Sequence, residues 1–178
     1  MRRALIVAHP DDESIWFGGL LAAEPGNWTI ICCSIPLTDP ERAWRFFNAC
    51  DILRAKPRLL PFVERGARDD LQHLDLIDTS QFDEIVTHGV VGEYGHRHHV
   101  QINRWLTMVS PDKLLMGCYG KAAGPKRVVL NEHQLGIKMA ALRCYDHTSP
   151  IDGKPKWRAL LDRYGSEFDL GVETYDRP

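Results

Sequence analysis

Ala4-Leu5-Ile6-Val7-Ala8-His9-Pro10-Asp11-Asp12-Glu13 is the stretch on which the fold turns. An uninterrupted run of five apolar residues suits a strand covered on both faces, as in a parallel sheet flanked by helices. A histidine and three acids follow at once, at the carboxyl end of that strand, where open α/β sheets bind ligands. Residues 14–23 then read as a helix, with Asp12 and Glu13 at the end where the helix dipole favours negative charge. A dinucleotide-binding turn would need G-x-G-x-x-G here, yet no glycine precedes Gly18 and acids stand where a phosphate would sit. The turn suits a cation instead, because neutral imidazole and carboxylate both ligate Zn2+ or Fe2+. Helix capping by Asp11 or Asp12 is the competing account of one acid, and it leaves His9 unexplained.

Working outward, short apolar runs alternate with stretches of helical period. Residues 28–35 and 59–63 read as strands, separated by a helix at 40–54 with Ala43, Phe46, Phe47, Cys50 and Leu53 at helical spacing. Strands are expected at 83–87 and 113–118 with a short edge strand at 127–130, and helices at about 98–109, 132–145 and 156–164. This alternation predicts an α/β protein, and 178 residues without repeat or linker predict one domain over residues 1–178. The balance of 22 Lys plus Arg against 24 Asp plus Glu, with no basic run longer than two residues, argues against nucleic acid as a partner. The 44% hydrophobic and 26% charged fractions exclude wholesale disorder and fibrous architectures. Five cysteines, an odd number with no C-x-x-C, suggest a reducing, cytoplasmic compartment. The apolar run at the amino end is too short for a signal peptide or membrane span, so no membrane partner is expected.

The second informative stretch is Thr87-His88-Gly89-Val90-Val91-Gly92-Glu93-Tyr94-Gly95-His96-Arg97-His98-His99, which again follows a strand and opens a helix. It too should face the carboxyl edge of the sheet. His96 and His99, three apart, share a helix face, so one is placed to bind metal while the other stands back as an acid; His98 is expected to point elsewhere. Two histidines and a carboxylate from separate strand ends, with open positions, describe a catalytic metal site better than a closed structural one. No G-x-S-x-G, H-E-x-x-H or P-loop motif is present, and Cys32 and Cys33 read as inert core.

These two stretches resemble the PIG-L/LmbE family of zinc-dependent N-deacetylases, which act on N-acetylglucosamine-type substrates. Ala8-His9-Pro10-Asp11-Asp12-Glu13 and Tyr94-Gly95-His96-Arg97-His98-His99 carry the resemblance, and Arg42 with its helix and the K-x-x-A-L-x-x-Y pattern starting at Lys138 extend it over much of the chain. The resemblance implies a Rossmann-like three-layer α/β sandwich with a mostly parallel sheet. It also implies His9, Asp12 and His99 as zinc ligands, with Fe2+ chemically compatible, and Asp11 as general base. His96 would stabilise or protonate, Tyr94 would lie near the oxyanion, and Arg42 would contact sugar hydroxyls. On that analogy zinc acidifies water, Asp11 takes its proton, and the tetrahedral oxyanion is held by the metal, protonated His96 and Tyr94. The chain departs from the family in carrying Arg97-His98 where members commonly have proline and aspartate. A carboxylate that would tune His96 is thereby absent; Glu93 or another acid is a candidate substitute, and alternatively Arg97 and His98 are candidates to bind an acidic sugar or sugar nucleotide.

Further candidates are Asp69, Asp70, His73 and Asp75 as sugar-hydroxyl ligands, His147 as a pocket wall or helix cap, His88 just outside the ligand set, and Trp16 as a stacking surface. The expectation is a metal-dependent hydrolase that removes the N-acetyl group from an amino sugar, sugar nucleotide or glycoconjugate, with a homo-oligomer compatible. Two alternatives stay open: another metal-assisted reaction on the same fold, such as a hydratase or a different amidohydrolase, and a noncatalytic metal- or sugar-binding module.

Overall fold

In chain order the elements are β1 (Arg3–Val7), α1 (Asp12–Trp16), α2 (Gly18–Ala23), β2 (Trp28–Cys32), β3 (Ile35–Pro36), α3 (Arg42–Ile52), β4 (Lys56–Leu59) and β5 (Val63–Glu64). They continue with β6 (Glu84–Thr87), the short turn α4 (Gly92–Gly95), α5 (Arg97–Val109), β7 (Leu114–Cys118), β8 (Lys126–Val129), α6 (Glu132–Arg143), α7 (Lys156–Tyr164) and β9 (Val172–Asp176). The computed structural model describes residues 1–37, 39–64, 70–118, 124–146, 154–164 and 170–178. The main sheet has the order β4-β2-β1-β6-β7-β9-β8, parallel from β4 to β7, with β9 antiparallel to both its neighbours. The α/β sandwich with a mostly parallel sheet is thus present. Strand order reverses between β1 and β6, and at such a switch point the two connecting turns diverge and leave a crevice for a ligand.

Alternation along the strands builds two separate cores. Leu5 and Val7 of β1 face one way, with Ile30, Cys32 and Val86, and pack under Ile15, Phe17, Leu20, Phe46 and Leu142 of the helices. Ala4 and Ile6 face the other way, with Ile31, Ile85 and Leu114, and meet Ile102 and Leu106 of α5. Ile102 and Leu106, four apart, are both fully buried, whereas Val109 is exposed. Each such aliphatic side chain stabilises the layer contact by about 1.5–3 kcal/mol. Among the described residues no helix is long and apolar enough to cross a membrane.

Three local expectations change, and one strand is additional to them. The helix expected over 14–23 is two helices, interrupted at Phe17 (φ −130°, ψ −1°). The second of them begins where Glu173 of β9 accepts the Gly19 and Leu20 amides, each at 2.7 Å. A Cβ on Gly19 would meet that carboxylate at 2.6 Å, which is why glycine stands there. The strand expected over 28–35 stops at Cys32, and Ile35–Pro36 pairs instead with Val63–Glu64 in a separate two-stranded sheet. The strand expected over 59–63 is displaced to Lys56–Leu59, and β9 was not anticipated at all.

Candidate metal centre

The turn after β1 is built around an unusual backbone. Asp11 has φ 113°, a conformation that costs a non-glycine residue about 1–3 kcal/mol and recurs at functional sites. Asp11 occupies the N-cap position of α1 but makes no side-chain cap, so the capping account fails for it. Its Oδ2 lies 2.5 Å from Arg42 Nη2, and Arg42 also donates to the Pro10 carbonyl; both side chains are nearly fully buried. The Asp11 amide is bonded to Glu13 Oε2 at 3.0 Å instead. Asp12 Oδ2 accepts the His9 amide at 2.8 Å, and Asp12 Oδ1 accepts Trp16 Nε1–H at 3.2 Å. The Asp12 carboxyl is held well below the usual range: burial works against ionisation, and His99, His9 and His88 outweigh it.

The turn after β6 presents the remaining imidazoles. Gly92 (φ 69°) lets this turn lie against α5, since a Cβ there would meet Val100 Cγ2 at 2.9 Å and His99 Cβ at 3.1 Å. Glu93, with its side chain fully buried, is the hub. Its Oε1 accepts the Gly89 amide at 3.0 Å, and its Oε2 bonds His88 Nδ1 at 2.9 Å and, more closely, His99 Nδ1. The Ala8 amide donates to His88 Nε2 at 3.1 Å, so the His88 proton sits on Nδ1 and both its nitrogens are engaged. His88 and His99 stack at 3.7 Å. Burial opposes the Glu93 charge, yet the two histidines bring its pKa down to about 2. For His99 burial is likewise outweighed, by Asp12 and Glu93, which raise it to about 10; positive charge is favoured at this spot.

The two turns converge on Asp12 Oδ2, which lies 3.4 Å from His9 Nδ1 and 3.3 Å from His99 Nε2. Four ligands about 2.0–2.1 Å from a tetrahedral Zn2+ stand about 3.3 Å from one another. His99 Nε2 and His96 Nδ1 are buried with no hydrogen-bond partner, and one ring nitrogen from each of His9, His96 and His99 falls within a 4.8 Å group. His99 is further arranged as metal-binding histidines are, one nitrogen tied to a carboxylate and the other turned toward Asp12 Oδ2. Asp12, His88 and His99 form a second such group, but His88 has no nitrogen to spare. These residues therefore offer a divalent cation one group of mutually close ligand atoms in His9, His96 and His99, with Asp12 Oδ2 beside His9 and His99.

Other expected site residues fall differently. His96 lies in the cluster, its ring centroid 4.7 Å from those of His9 and His99, but burial first and then its histidine neighbours lower its pKa to about 3. Both effects favour its neutral form. Tyr94 packs 5.6 Å from both His96 and His99, with its phenol pushed up by burial. His98, expected to point away or toward substrate, is fully buried with Nδ1 at 3.1 Å from His9 Nε2. Arg97 is exposed and paired at 2.5 Å with Asp70, another expected sugar ligand. Trp16 is 2% exposed and braces Asp12, so it offers no stacking surface. His73 and Asp75 are exposed, and Asp69 and His147 lie outside the described residues. Glu93, which the sequence offers as a substitute carboxylate for His96, instead bridges His88 and His99. Sequence reading missed Glu13, whose carboxyl accepts the Tyr145 and Ser14 hydroxyls at 2.8 and 2.6 Å.

No family model matches the chain. It is 25% identical to an uncharacterized protein of Acanthamoeba polyphaga mimivirus, over 63% of this chain and 59% of that one. The chain thus spans about three-fifths of the length of the curated relative it matches. Among solved structures it is similar to N,N'-diacetylchitobiose deacetylase from Pyrococcus horikoshii, with TM-score 0.65, 16% identity and coverage of 98% of this chain and 82% of that one. It is also similar to a deacetylase of the teicoplanin biosynthetic pathway, with TM-score 0.64, 14% identity and coverage of 100% and 99%. A third is the 4-carboxy-2-hydroxymuconate hydratase GalB from Pseudomonas putida, with TM-score 0.58, 15% identity and coverage of 98% and 95%. At these identities the likeness is one of fold.

Proposed function

We propose that this chain is a metal-dependent N-deacetylase of the PIG-L/LmbE type, acting on an N-acetylated amino sugar, sugar nucleotide or glycoconjugate. His9, Asp12 and His99 hold a divalent cation, Zn2+ or Fe2+, and Asp11 is the general base. The observation that carries the reading is the convergence of His9 Nδ1 and His99 Nε2 on Asp12 Oδ2 at 3.4 and 3.3 Å. The fold shared with two deacetylases supports it.

A cation bound there supplies Lewis acidity toward an amide carbonyl and makes water acidic enough to lose a proton near neutral pH. The chain's own groups do the rest. Asp11, oriented by Arg42 at 2.5 Å, takes the proton of the attacking water and later passes it to the departing nitrogen. Neutral His96 and the protonated phenol of Tyr94 donate hydrogen bonds toward the oxygen on which negative charge develops. Water and amide are consumed, and amine and acetate leave.

The test is acetate release from a panel of N-acetyl sugars, sugar nucleotides and glycoconjugates, using metal-loaded protein purified without a histidine tag. Turnover and about one metal per chain are expected, both lost in His99→Ala. A folded wild type that takes up no metal, or a loaded one that releases no acetate across the panel, overturns the reading. Hydration of an unsaturated acid by that loaded protein would favour the hydratase alternative.

A further inference from the structure

His98 occupies the centre without being one of its proposed ligands. Its side chain is fully buried, its ring centroid stands 5.3 Å from that of His9, and its Nδ1 faces His9 Nε2 at 3.1 Å. A neutral imidazole carries one ring proton, so two facing nitrogens bond only when one is protonated and the other bare. The opposite edge of the His9 ring decides which. There His9 Nδ1 lies 3.4 Å from Asp12 Oδ2, the same oxygen that His99 Nε2 approaches at 3.3 Å. Ligation from that edge requires a bare Nδ1, which places the ring proton on Nε2, directly in front of His98.

We propose that His98 is a positioning residue of the metal centre, its Nδ1 accepting the His9 Nε2 proton and committing His9 to bind the cation through Nδ1. The assignment rests on the metal-centre reading above. In that arrangement His9 carries its one ring proton on Nε2, in the bond to His98, and the proton of His98 is on its own Nε2. The two ligand histidines therefore present opposite nitrogens. His99 uses Nε2, with Nδ1 tied to the Glu93 carboxylate, and His9 uses Nδ1, with Nε2 tied to a neutral imidazole. A neutral acceptor fixes ring orientation and tautomer without adding charge to a centre already holding Asp11, Asp12 and Glu93.

The experiment uses the full chain, stripped with chelator, and compares wild type with His98→Asn, His98→Gln and His98→Leu. An asparagine amide oxygen is as many bonds from the backbone as a histidine Nδ1 and keeps an acceptor in place. Glutamine carries it one bond too far, and leucine removes it. Zn2+ affinity is measured by competition with a chromophoric chelator, and the ligand field from the visible spectrum of the Co2+-loaded protein. His98→Asn is expected to match wild type in both, while His98→Gln and His98→Leu bind about 10–100-fold more weakly with shifted Co2+ bands. Indistinguishable affinities and spectra across all three overturn the assignment while leaving the metal centre intact. Should His98→Leu fail to fold, the contrast between asparagine and glutamine decides. A wild type that binds neither metal removes the metal-centre reading itself, and this assignment with it.

Discussion

Replacing Glu13 by glutamine should change how stability depends on pH. The Glu13 carboxyl is fully buried; its Oε1 accepts the Ser14 and Tyr145 hydroxyls at 2.6 and 2.8 Å, and its Oε2 the Asp11 amide at 3.0 Å. Burial raises its pKa from 4.5 to about 7, with Asp11 adding to the rise and the hydroxyl bonds opposing it. An acid whose pKa is higher folded than unfolded keeps its proton in the native state across a window where the unfolded chain has released it. Stability therefore falls as pH rises from about 4.5 to about 7, and at about 1.4 kcal/mol per pH unit the loss is roughly 3 kcal/mol. Glutamine mimics the neutral carboxyl: its oxygen accepts the Asp11 amide and its NH2 donates to the two hydroxyls, which reorient as acceptors. Urea denaturation of chelator-treated wild type and Glu13→Gln, from pH 4.5 to pH 8, should show the variant gaining roughly 3 kcal/mol on wild type over that range. A difference that stays constant with pH would refute the claim that Glu13 is held neutral.

Asp11→Asn should lower acetate release by about 100- to 10,000-fold while metal content by elemental analysis stays at the wild-type level; loss of metal would instead make Asp11 a ligand. Glu93→Gln removes the charged partner of His99 Nδ1 and is expected to weaken Zn2+ binding about 10–100-fold in a chelator competition, whereas unchanged affinity would deny Glu93 that role. Glu173→Leu leaves the Lys138 ammonium, 2.6 Å from the carboxylate it would lose, buried without that partner. The expected cost is about 3–5 kcal/mol in chemical denaturation, part of it recovered when Lys138→Met is added, since the Gly19 and Leu20 amides stay without their acceptor; equal losses in the single and double variants would refute the pairing argument.

Legibility of the fold followed the range of the interaction. β1, β6, β7 and α5 emerged from the sequence within a residue or two, because each is declared by apolar spacing inside its own span. Expectation gave way where a distant group intervenes. The helix over 14–23 breaks because Glu173, more than 150 positions away, captures the Gly19 and Leu20 amides and so starts a second helix. β9 reads Val172-Glu173-Thr174-Tyr175-Asp176, an alternation too short to declare a strand without β7 and β8 on either side.

The candidate site divides along the same line. The sequence by itself determined which chemistry is available: imidazoles and carboxylates after two strands, at the carboxyl edge of the sheet, with no phosphate-binding glycines to rival them. Only the tertiary structure decided which atom of each faces which. Arg42 lies against Asp11, Glu93 ties His88 to His99, Trp16 braces Asp12, and His98 turns inward onto His9. Apolar periodicity is fixed by neighbours along the chain. Proton positions and ligand directions are fixed by 3 Å contacts between residues as many as 89 positions apart, and those distances exist only once the sheet and its two turns have come together.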